Sequence, residues 1–314
     1  KKQQASMKVY KHLSEFKPIK NAVVTTGTFD GVHIGHQKII HRVKEIAHQI
    51  AGESVIITFH PHPRLVLFPE DNHLKMLNTL PEKIQLLAAS GIDHLIIIPF
   101  TKEFSRLSSV DFIQQILVDQ IGTKKLVIGY DHHFGKNREG SFEHLKHYGP
   151  SYGFEVEEIP KQDINDVGVS STKIRTALAQ HHIEIANQYL GYPYAMEGIV
   201  VKGDQIGRSI GFPTANIQIQ ESHKLIPADG IYAVHIQWQS QTYKGMLYIG
   251  DRPTVQGSKK VIEVNIFDFD KEIYDEQIQV KLIQYIRGDQ KFESLDALKL
   301  SIQQDEINCR KALS

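Results

Sequence analysis

Residues 27–36 read GTFDGVHIGH, and this stretch decides how the first half of the chain is expected to fold. It follows an apolar run, Ala22–Thr26, with the composition of a buried strand, and it leads into a segment with helical spacing. Glycines at such a junction let backbone amides approach a ligand, and the N-terminus of the helix adds positive potential. The stretch therefore predicts an anion-binding loop between a strand and a helix.

Two histidines stand at the end of this loop. His33 and His36 are three residues apart at the helix start, so both rings can face one point and offer N–H donors to phosphoryl oxygens. Two such histidines alone are equally well explained as capping or surface residues. The complete ten-residue string favours a phosphate clamp, in which His33 and His36 act in catalysis.

From residue 22 to about residue 191, apolar runs alternate with helical patterns, which is the rhythm of βαβ units. Thr79 with Glu82 and Ser108 with Asp111 have the spacing of helix N-caps. Several runs are continuous in Val and Ile, as expected when helices cover both faces of a sheet. We predict a doubly wound parallel sheet with strands at 22–26, 54–59, 94–100, 124–130 and 154–159.

After residue 191 the pattern changes to β-rich segments punctuated by Gly and Pro, which predicts an antiparallel β-barrel. Its expected strands are 198–202, 230–239, 244–249, 261–269 and 278–286. We therefore expect domains at 7–190 and 191–314, and we expect residues 1–6 to be a remnant ahead of the natural start. A C-terminal helix should pack on the barrel through Leu295, Leu298, Ile302, Cys309 and Leu313.

The amino-acid composition argues against several classes of function. The chain has 314 residues, with 36 Lys and Arg against 36 Asp and Glu, so no basic surplus favours a nucleic-acid partner. The single cysteine, Cys309, cannot form an internal disulfide, which fits a reducing compartment. No apolar stretch approaches the roughly 20 residues of a membrane span. We expect a cytoplasmic protein with no nucleic-acid or membrane partner, and its oligomeric state stays open.

A second phosphate-type motif lies downstream, at residues 169–175, which read VSSTKIR. Ser170, Ser171 and Thr172 offer hydroxyls at a helix start, and Arg175 is a bidentate donor for phosphate. A run of hydroxyl residues is usually only an N-cap. In a doubly wound sheet, however, this helix start and the loop at 27–36 can converge on one nucleotide beyond the carboxyl ends of the strands.

The barrel half contains its own candidate site, at residues 203–216, which read GDQIGRSIGFPTAN. Thr214 and Asn216 are two apart, so in an extended strand their side chains share one face and can bind one Mg²⁺ with nucleotide phosphates. The glycines would let the preceding loop close over those phosphates. A turn-rich hairpin without a ligand is the alternative.

These strings, in this order, resemble the bacterial bifunctional riboflavin kinase/FAD synthetase family over nearly the whole chain from Met7. Three further matches support the resemblance. They are TFHPHP at 58–63, YIGDRPT at 248–254 and VIEVNIFDF at 261–269.

The resemblance implies two ATP-dependent reactions. The second domain would phosphorylate riboflavin to FMN with Mg²⁺, and the first would transfer AMP from ATP to FMN, giving FAD and pyrophosphate. Glu263 would be the catalytic base of the kinase. In the first domain, the resemblance implies that ATP is bound by Gly27, Phe29, Asp30, Gly35, Asp131, Ser170, Ser171, Thr172 and Arg175, and the flavin by Phe59 and His62. In the second domain, it implies that the kinase substrates are bound by Gly203, Gly207, Arg208, Gly211, Arg252 and Arg287, and the metal by Thr214 and Asn216.

The sequence departs from the family pattern at two places. Asn265 stands where the family usually has histidine, and His132 and His133 occupy a segment that reaches the adenosine. Two other functions stay open. One is a nucleotidyltransferase of the same His-x-Gly-His type that acts on another phosphate acceptor. The other is a flavin-binding regulator without turnover.

Overall fold

The computed structural model describes residues 6–71, 73–129, 134–136, 140–160, 168–203, 207, 211–254 and 257–314, without the side chains of 252–254 and 257–259. The chain divides into two compact units, residues 1–170 and 171–314. No helix in the described part of the chain is long and apolar enough to cross a lipid bilayer.

The first unit contains one parallel sheet, as predicted. Its strands are β1 (Lys8–Tyr10), β2 (Ala22–Thr26), β3 (Glu53–His60), β4 (His94–Pro99), β5 (Thr123–Gly129) and β6 (Glu155–Ile159). They lie in the order β1-β4-β3-β2-β5-β6, and every pair is parallel. The chain order reverses at β2, so a crevice is expected beyond the carboxyl end of this strand.

Helices cover both faces of this sheet. They are α1 (Ile34–Gln49), α2 (Pro63–Leu67), α3 (Leu80–Ala89), α4 (Ser109–Asp111), which continues into a π-helix (Phe112–Gln120), and α5 (Phe142–Tyr152); short 3₁₀ turns lie at Leu13–Glu15 and Phe104–Arg106. Thr79 and Glu82 form the predicted capping box, and Ser108 is the predicted N-cap. The sequence does not predict the π geometry.

Buried apolar side chains form a core on each face of the sheet. In β2, Val23 packs on the side of α1 and Val24 on the side of the π-helix. Because helices cover both faces, the inner strands β2, β3 and β4 contain runs of buried Val and Ile.

The second unit contains a closed antiparallel barrel. Its elements are α6 (Ser171–Ala179), α7 (Ile183–Leu190), β7 (Ala195–Val201), β8 (Ala215–Gln218), β9 (Gly230–Trp238), β10 (Gln241–Thr254), β11 (Gly257–Ile266), β12 (Gln277–Arg287) and α8 (Leu295–Ala312). The strand order around the barrel is β10-β11-β8-β7-β12-β9. The predicted fold class, a doubly wound sheet followed by a barrel and a terminal helix, is confirmed.

Two details differ from the expectation. By compactness α6 and α7 belong to the barrel unit. The Asn187 side chain, for example, donates to the Leu282 carbonyl at 2.9 Å and accepts from the Tyr194 N–H at 2.7 Å. The functional boundary at residue 190 stays a prediction. On α8, Cys309 and Leu313 are buried, but Leu295 is 66% exposed because it lies in the first turn of the helix, so its predicted packing is wrong.

Candidate active sites

The loop between β2 and α1 has an unusual backbone. Phe29, Gly31 and Val32 all have positive φ angles, at 47°, 89° and 37°. Such angles are unfavourable for residues with a side chain, so the surrounding structure must hold them. The Gly27 N–H extends the β2–β3 ladder by donating to the Ile57 carbonyl at 3.0 Å, which fixes where the loop begins.

His33 and His36 are brought together at the start of α1. His33 is its N-cap, with Nδ1 accepting from the His36 N–H at 3.3 Å, and the two rings stack with centroids 3.7 Å apart. Because Nδ1 of His33 accepts, the proton of its neutral ring lies on Nε2. Burial lowers the pKa of His36 well below its usual value, and His33 and Lys83 lower it further. Both rings are therefore neutral, and each carries one N–H.

Beneath the loop lie two buried charged side chains, Asp30, which the sequence analysis names, and Lys83, which it does not. Lys83 on α3 is buried and donates to the Thr28 carbonyl at 2.7 Å. Burial lowers the pKa of Lys83, and the nearby Asp30 raises it. The Asp30 carboxylate accepts from the backbone N–H groups of Leu77 at 2.9 Å and Asn78 at 3.4 Å. Asp30 therefore binds the loop to the backbone at Leu77 and Asn78.

Two buried polar atoms at this edge of the sheet have no hydrogen-bond partner among the described residues. They are Oγ1 of Thr26 and Nδ1 of His36. Buried polar groups are nearly always paired, so unpaired atoms beside a strand end and a helix start indicate that a polar ligand binds there.

The second phosphate motif begins beside the first. A Cβ placed on Gly35 would lie 3.3 Å from Val169 Cγ1, so residue 169 contacts the first turn of α1. Ser170 ends the first unit, and Ser171, Thr172 and Arg175 lie in α6 of the second unit. The contact of these residues with the nucleotide stays a prediction.

Aromatic side chains continue the same edge. The Phe59 ring at the end of β3 meets Phe100 and Phe104, each with ring centroids 5.8 Å away. All three are half-buried. His62 caps α2, with its Nδ1 accepting from the Arg64 N–H at 3.2 Å. The three rings are inclined to one another by 48° to 79°, and together they offer an apolar aromatic surface against which a ring system can pack.

In the barrel, Glu263 on β11 pairs directly with Asn216 on β8. Residues opposite each other in an antiparallel pair face the same side, so both side chains share one face. The Thr214 hydroxyl donates to Oε2 of Glu263 at 3.3 Å. A cavity of about 260 Å³ begins at Thr214 and is lined further by Val264, Phe269, Lys271 and Tyr274. Thr214 thus contacts Glu263 and also lines this cavity, whereas Glu263 and Asn216 are not among the cavity's lining residues.

The glycines of this motif leave room for the site. A Cβ on Gly203 would lie 2.1 Å from Nδ2 of Asn216, and one on Gly207 would lie 2.3 Å from the Phe212 carbonyl oxygen. A side chain at position 203 would displace the Asn216 side chain, and one at position 207 would displace the backbone at Phe212, two residues before Thr214.

Comparison with known proteins decides the family. Residues 16–173 match the family model of FAD synthetase, and residues 190–313 match that of riboflavin kinase. A bifunctional riboflavin kinase/FMN adenylyltransferase of Listeria monocytogenes is 40% identical over 291 residues, which cover 92% of each chain. The chain belongs to the bifunctional riboflavin kinase/FMN adenylyltransferase family. The predicted family and its two enzymatic activities are confirmed.

Two further relatives cover the chain from end to end. The riboflavin kinase/FMN adenylyltransferase of Escherichia coli K12 is 37% identical over 295 residues, covering 94% of this chain and 93% of its own. A solved structure described as a macrolide-efflux protein from Streptococcus pneumoniae is 31% identical, with a TM-score of 0.88 over 98% of this chain and 99% of that one.

Arg287, which matches a position of the family pattern, forms an ion pair and hydrogen bonds with other residues of the barrel unit. The Arg287 guanidinium forms a two-pronged ion pair with Asp305 on α8, at 2.8 and 2.7 Å, and it also donates to the Gly288 carbonyl and to Ser301. These bonds hold α8 against the end of β12. The predicted substrate contact of Arg287 remains without support from this geometry.

Asn265, in the segment that resembles the family's kinase motif, forms a hydrogen bond to the segment that contains Thr214. Its side-chain amide donates to the Pro213 carbonyl at 2.7 Å, next to Thr214. Several predicted contacts lie outside the described residues: Asp131, its neighbours His132 and His133, Arg208, and the side chain of Arg252. Gly211 is described, with a φ of 88°.

Proposed function

We propose that the barrel unit phosphorylates riboflavin around Glu263 and that the loop of residues 27–36 serves adenylyl transfer to FMN. The observation that carries the first assignment is the hydrogen bond from Thr214 to Glu263, which lies directly opposite Asn216 in the barrel. The stacked pair His33 and His36, beside unpaired buried polar atoms, carries the second.

In the kinase reaction, Glu263 accepts the proton of the primary ribityl hydroxyl as that oxygen attacks the γ-phosphorus of ATP. The new P–O bond forms, the bond to the β-phosphate oxygen breaks, and ADP leaves. The Thr214 hydroxyl fixes one oxygen of the carboxylate, so the base is held in one orientation.

The residues present fit a magnesium ion. The Thr214 hydroxyl and the Asn216 amide are neutral oxygen ligands, and Mg²⁺ prefers such hard donors together with phosphate oxygens. Both side chains lie at the Glu263 face, and Gly203 leaves Asn216 its space. When bound, the ion neutralises charge on the triphosphate.

In adenylyl transfer, a phosphate oxygen of FMN attacks the α-phosphorus of ATP and pyrophosphate leaves. His33 and His36 donate to the oxygens on which charge develops, and the start of α1 adds positive potential. No base is needed, because the attacking group is already an anion. We assign the isoalloxazine ring to the surface formed by Phe59, Phe100 and Phe104. Ser170, Ser171, Thr172 and Arg175 would hold the phosphates.

The test is a product assay of the full chain with riboflavin and Mg-ATP, resolved by chromatography. We expect FMN to appear first and FAD to follow, with ADP and pyrophosphate as the by-products. If FMN accumulates and never becomes FAD, while another phosphate-bearing acceptor is adenylylated, the first unit has a different substrate. If flavin binds and neither product forms, the chain is a regulator. ATP as the co-substrate of both reactions fits the expected cytoplasmic location.

A further inference from the structure

Lys83 is a buried cation that none of the assigned roles uses. It lies on the face of α3 that also carries Leu80, Ile84 and Leu87, which pack in the core on the α1 side of the sheet. Only 7% of it is exposed. Burying an ammonium group is unfavourable unless it is paired, and an apolar residue would fill this position more favourably. A lysine at this buried position therefore indicates a specific role.

The hydrogen bonds around Lys83 indicate what this role is. Its Nζ donates to the Thr28 carbonyl at 2.7 Å, and the Thr58 hydroxyl donates to the same oxygen at 3.3 Å. Two donors therefore fix the orientation of the Thr28 oxygen from the direction of α3 and β3.

A fixed carbonyl also fixes the N–H across the same peptide bond. The Thr28–Phe29 peptide is trans and planar, so its N–H points opposite to its carbonyl, away from Lys83. Among the described residues, the Phe29 N–H has no hydrogen-bond partner. It belongs to the residue with the left-handed φ of 47°, at the start of the loop that ends in His33 and His36.

We propose that Lys83 is a positioning residue for adenylyl transfer, which holds the Thr28–Phe29 peptide so that the Phe29 N–H faces the nucleotide phosphates. The proposal rests on the proposed adenylyltransferase function of this loop. Lys83 does not touch the substrate, and its effect passes through a backbone donor. The nearby Asp30 carboxylate balances the charge and ties the same loop to Leu77 and Asn78.

Three variants of the full chain test the proposal. Lys83→Met keeps the length and apolar stem but removes the donor. Lys83→Arg keeps a cationic donor. Thr58→Val removes the weaker of the two hydrogen bonds to Thr28 with little change in shape. For each we would measure kcat and KM of FMN adenylylation, with riboflavin phosphorylation by the same chain as internal control.

We expect Lys83→Met to lower kcat for FAD formation about ten- to hundredfold, because a misplaced donor fails mainly in the transition state. KM for FMN should change little, and kinase activity should be normal. Lys83→Arg should recover most of the loss, and Thr58→Val should show a smaller loss of the same kind. The double variant Lys83→Met with Thr58→Val should be non-additive, since both residues act on one oxygen.

Normal adenylylation by Lys83→Met would overturn the proposal, provided that His36→Ala in the same assay is inactive. If His36→Ala also keeps normal activity, the site assignment itself is wrong, so the two failures are distinguishable. If Lys83→Met fails to fold, Thr58→Val decides: full activity with an unchanged kcat would overturn the proposal.

Discussion

The side-chain amide of Asn265 donates to the carbonyl oxygen of Pro213 at 2.7 Å, which ties β11 to the residue just before Thr214. The family usually has histidine at position 265, and histidine also carries a ring N–H donor. Asn265 therefore supplies an N–H donor to the backbone next to Thr214, the predicted metal ligand.

We expect Asn265→Ala to lower kcat/KM for riboflavin phosphorylation about tenfold, because a lost buried hydrogen bond costs roughly 1–3 kcal/mol. Asn265→His should retain most of the activity. Steady-state kinetics of FMN formation checks both, with FMN adenylylation as the control. Full kinase activity in the alanine variant would show that the Pro213 contact is dispensable.

Replacing Glu263 with Gln should slow riboflavin phosphorylation roughly a hundred- to ten-thousandfold, the usual contribution of a positioned general base. Glutamine keeps the size and one oxygen acceptor for Thr214, so riboflavin affinity should change little. FAD formation from supplied FMN should be normal. A variant that phosphorylates riboflavin at the normal rate would place the base elsewhere.

His33→Ala and His36→Ala should each slow FAD formation about a hundred- to a thousandfold, which corresponds to about 2.7–4 kcal/mol for one lost donor to the transition state. FMN formation from riboflavin should survive in both variants and serves as the control for folding. The assignment of the clamp does not hold if either variant makes FAD from FMN at the normal rate.

The lowered pKa of His36 predicts a pH-dependent stability of the first unit. Below the usual value of 6.5, the unfolded chain binds a proton at this ring that the folded chain does not. The free energy of opening therefore falls as pH drops from about 6.5 toward the lowered pKa, by at most about 1.4 kcal/mol per pH unit. Native-state hydrogen exchange of the β2 amides measures it.

His36→Gln, which cannot titrate, is the matched control and should show a smaller loss of opening free energy between pH 7 and pH 5.5. Equal losses in the wild type and the variant would mean that His36 titrates normally in the folded protein.

Helices α6 and α7 should stabilise the barrel. Ile183 and Leu190 are fully buried, and Asn187 bonds to both Leu282 and Tyr194. A fragment of residues 171–314 should therefore unfold roughly 10 °C or more above a fragment of 191–314, given the apolar area and hydrogen bonds involved. Thermal circular dichroism of both fragments tests this, with FMN formation as the activity readout. Equal melting temperatures would contradict the contribution of the two helices.

The sequence predicted those helices and strands that have strong hydrophobic periodicity or a clear N-cap residue. β2 has its predicted bounds, Ala22–Thr26, and Thr79 starts α3 as expected. Two strands were missed, β1 and β8, because three or four residues carry too little alternation to be distinguished from a loop.

The backbone partners of Asp30 were not predicted, and Lys83 was missed, because both depend on distant contacts. Asp30 binds backbone groups 47 and 48 residues away, and no spacing rule reveals such a pair. Lys83 did leave a signal, since it interrupts the apolar stripe that Leu80, Ile84 and Leu87 form on α3. A charge at such a position indicates either a solvated helix face or a buried partner, and only the structure distinguishes them.

The outer strands of the parallel sheet, β1 and β6, have a consequence for behaviour at high concentration. An open sheet exposes unpaired backbone groups at both ends, which can join another chain and start aggregation. β1 offers only three residues, and β6 has five, three of them charged: Glu155, Glu157 and Glu158, the first two of which form ion pairs with Lys125. Short and charged outer strands pair poorly with another chain. The barrel is closed and has no outer strand. Both units thus resist edge-to-edge association.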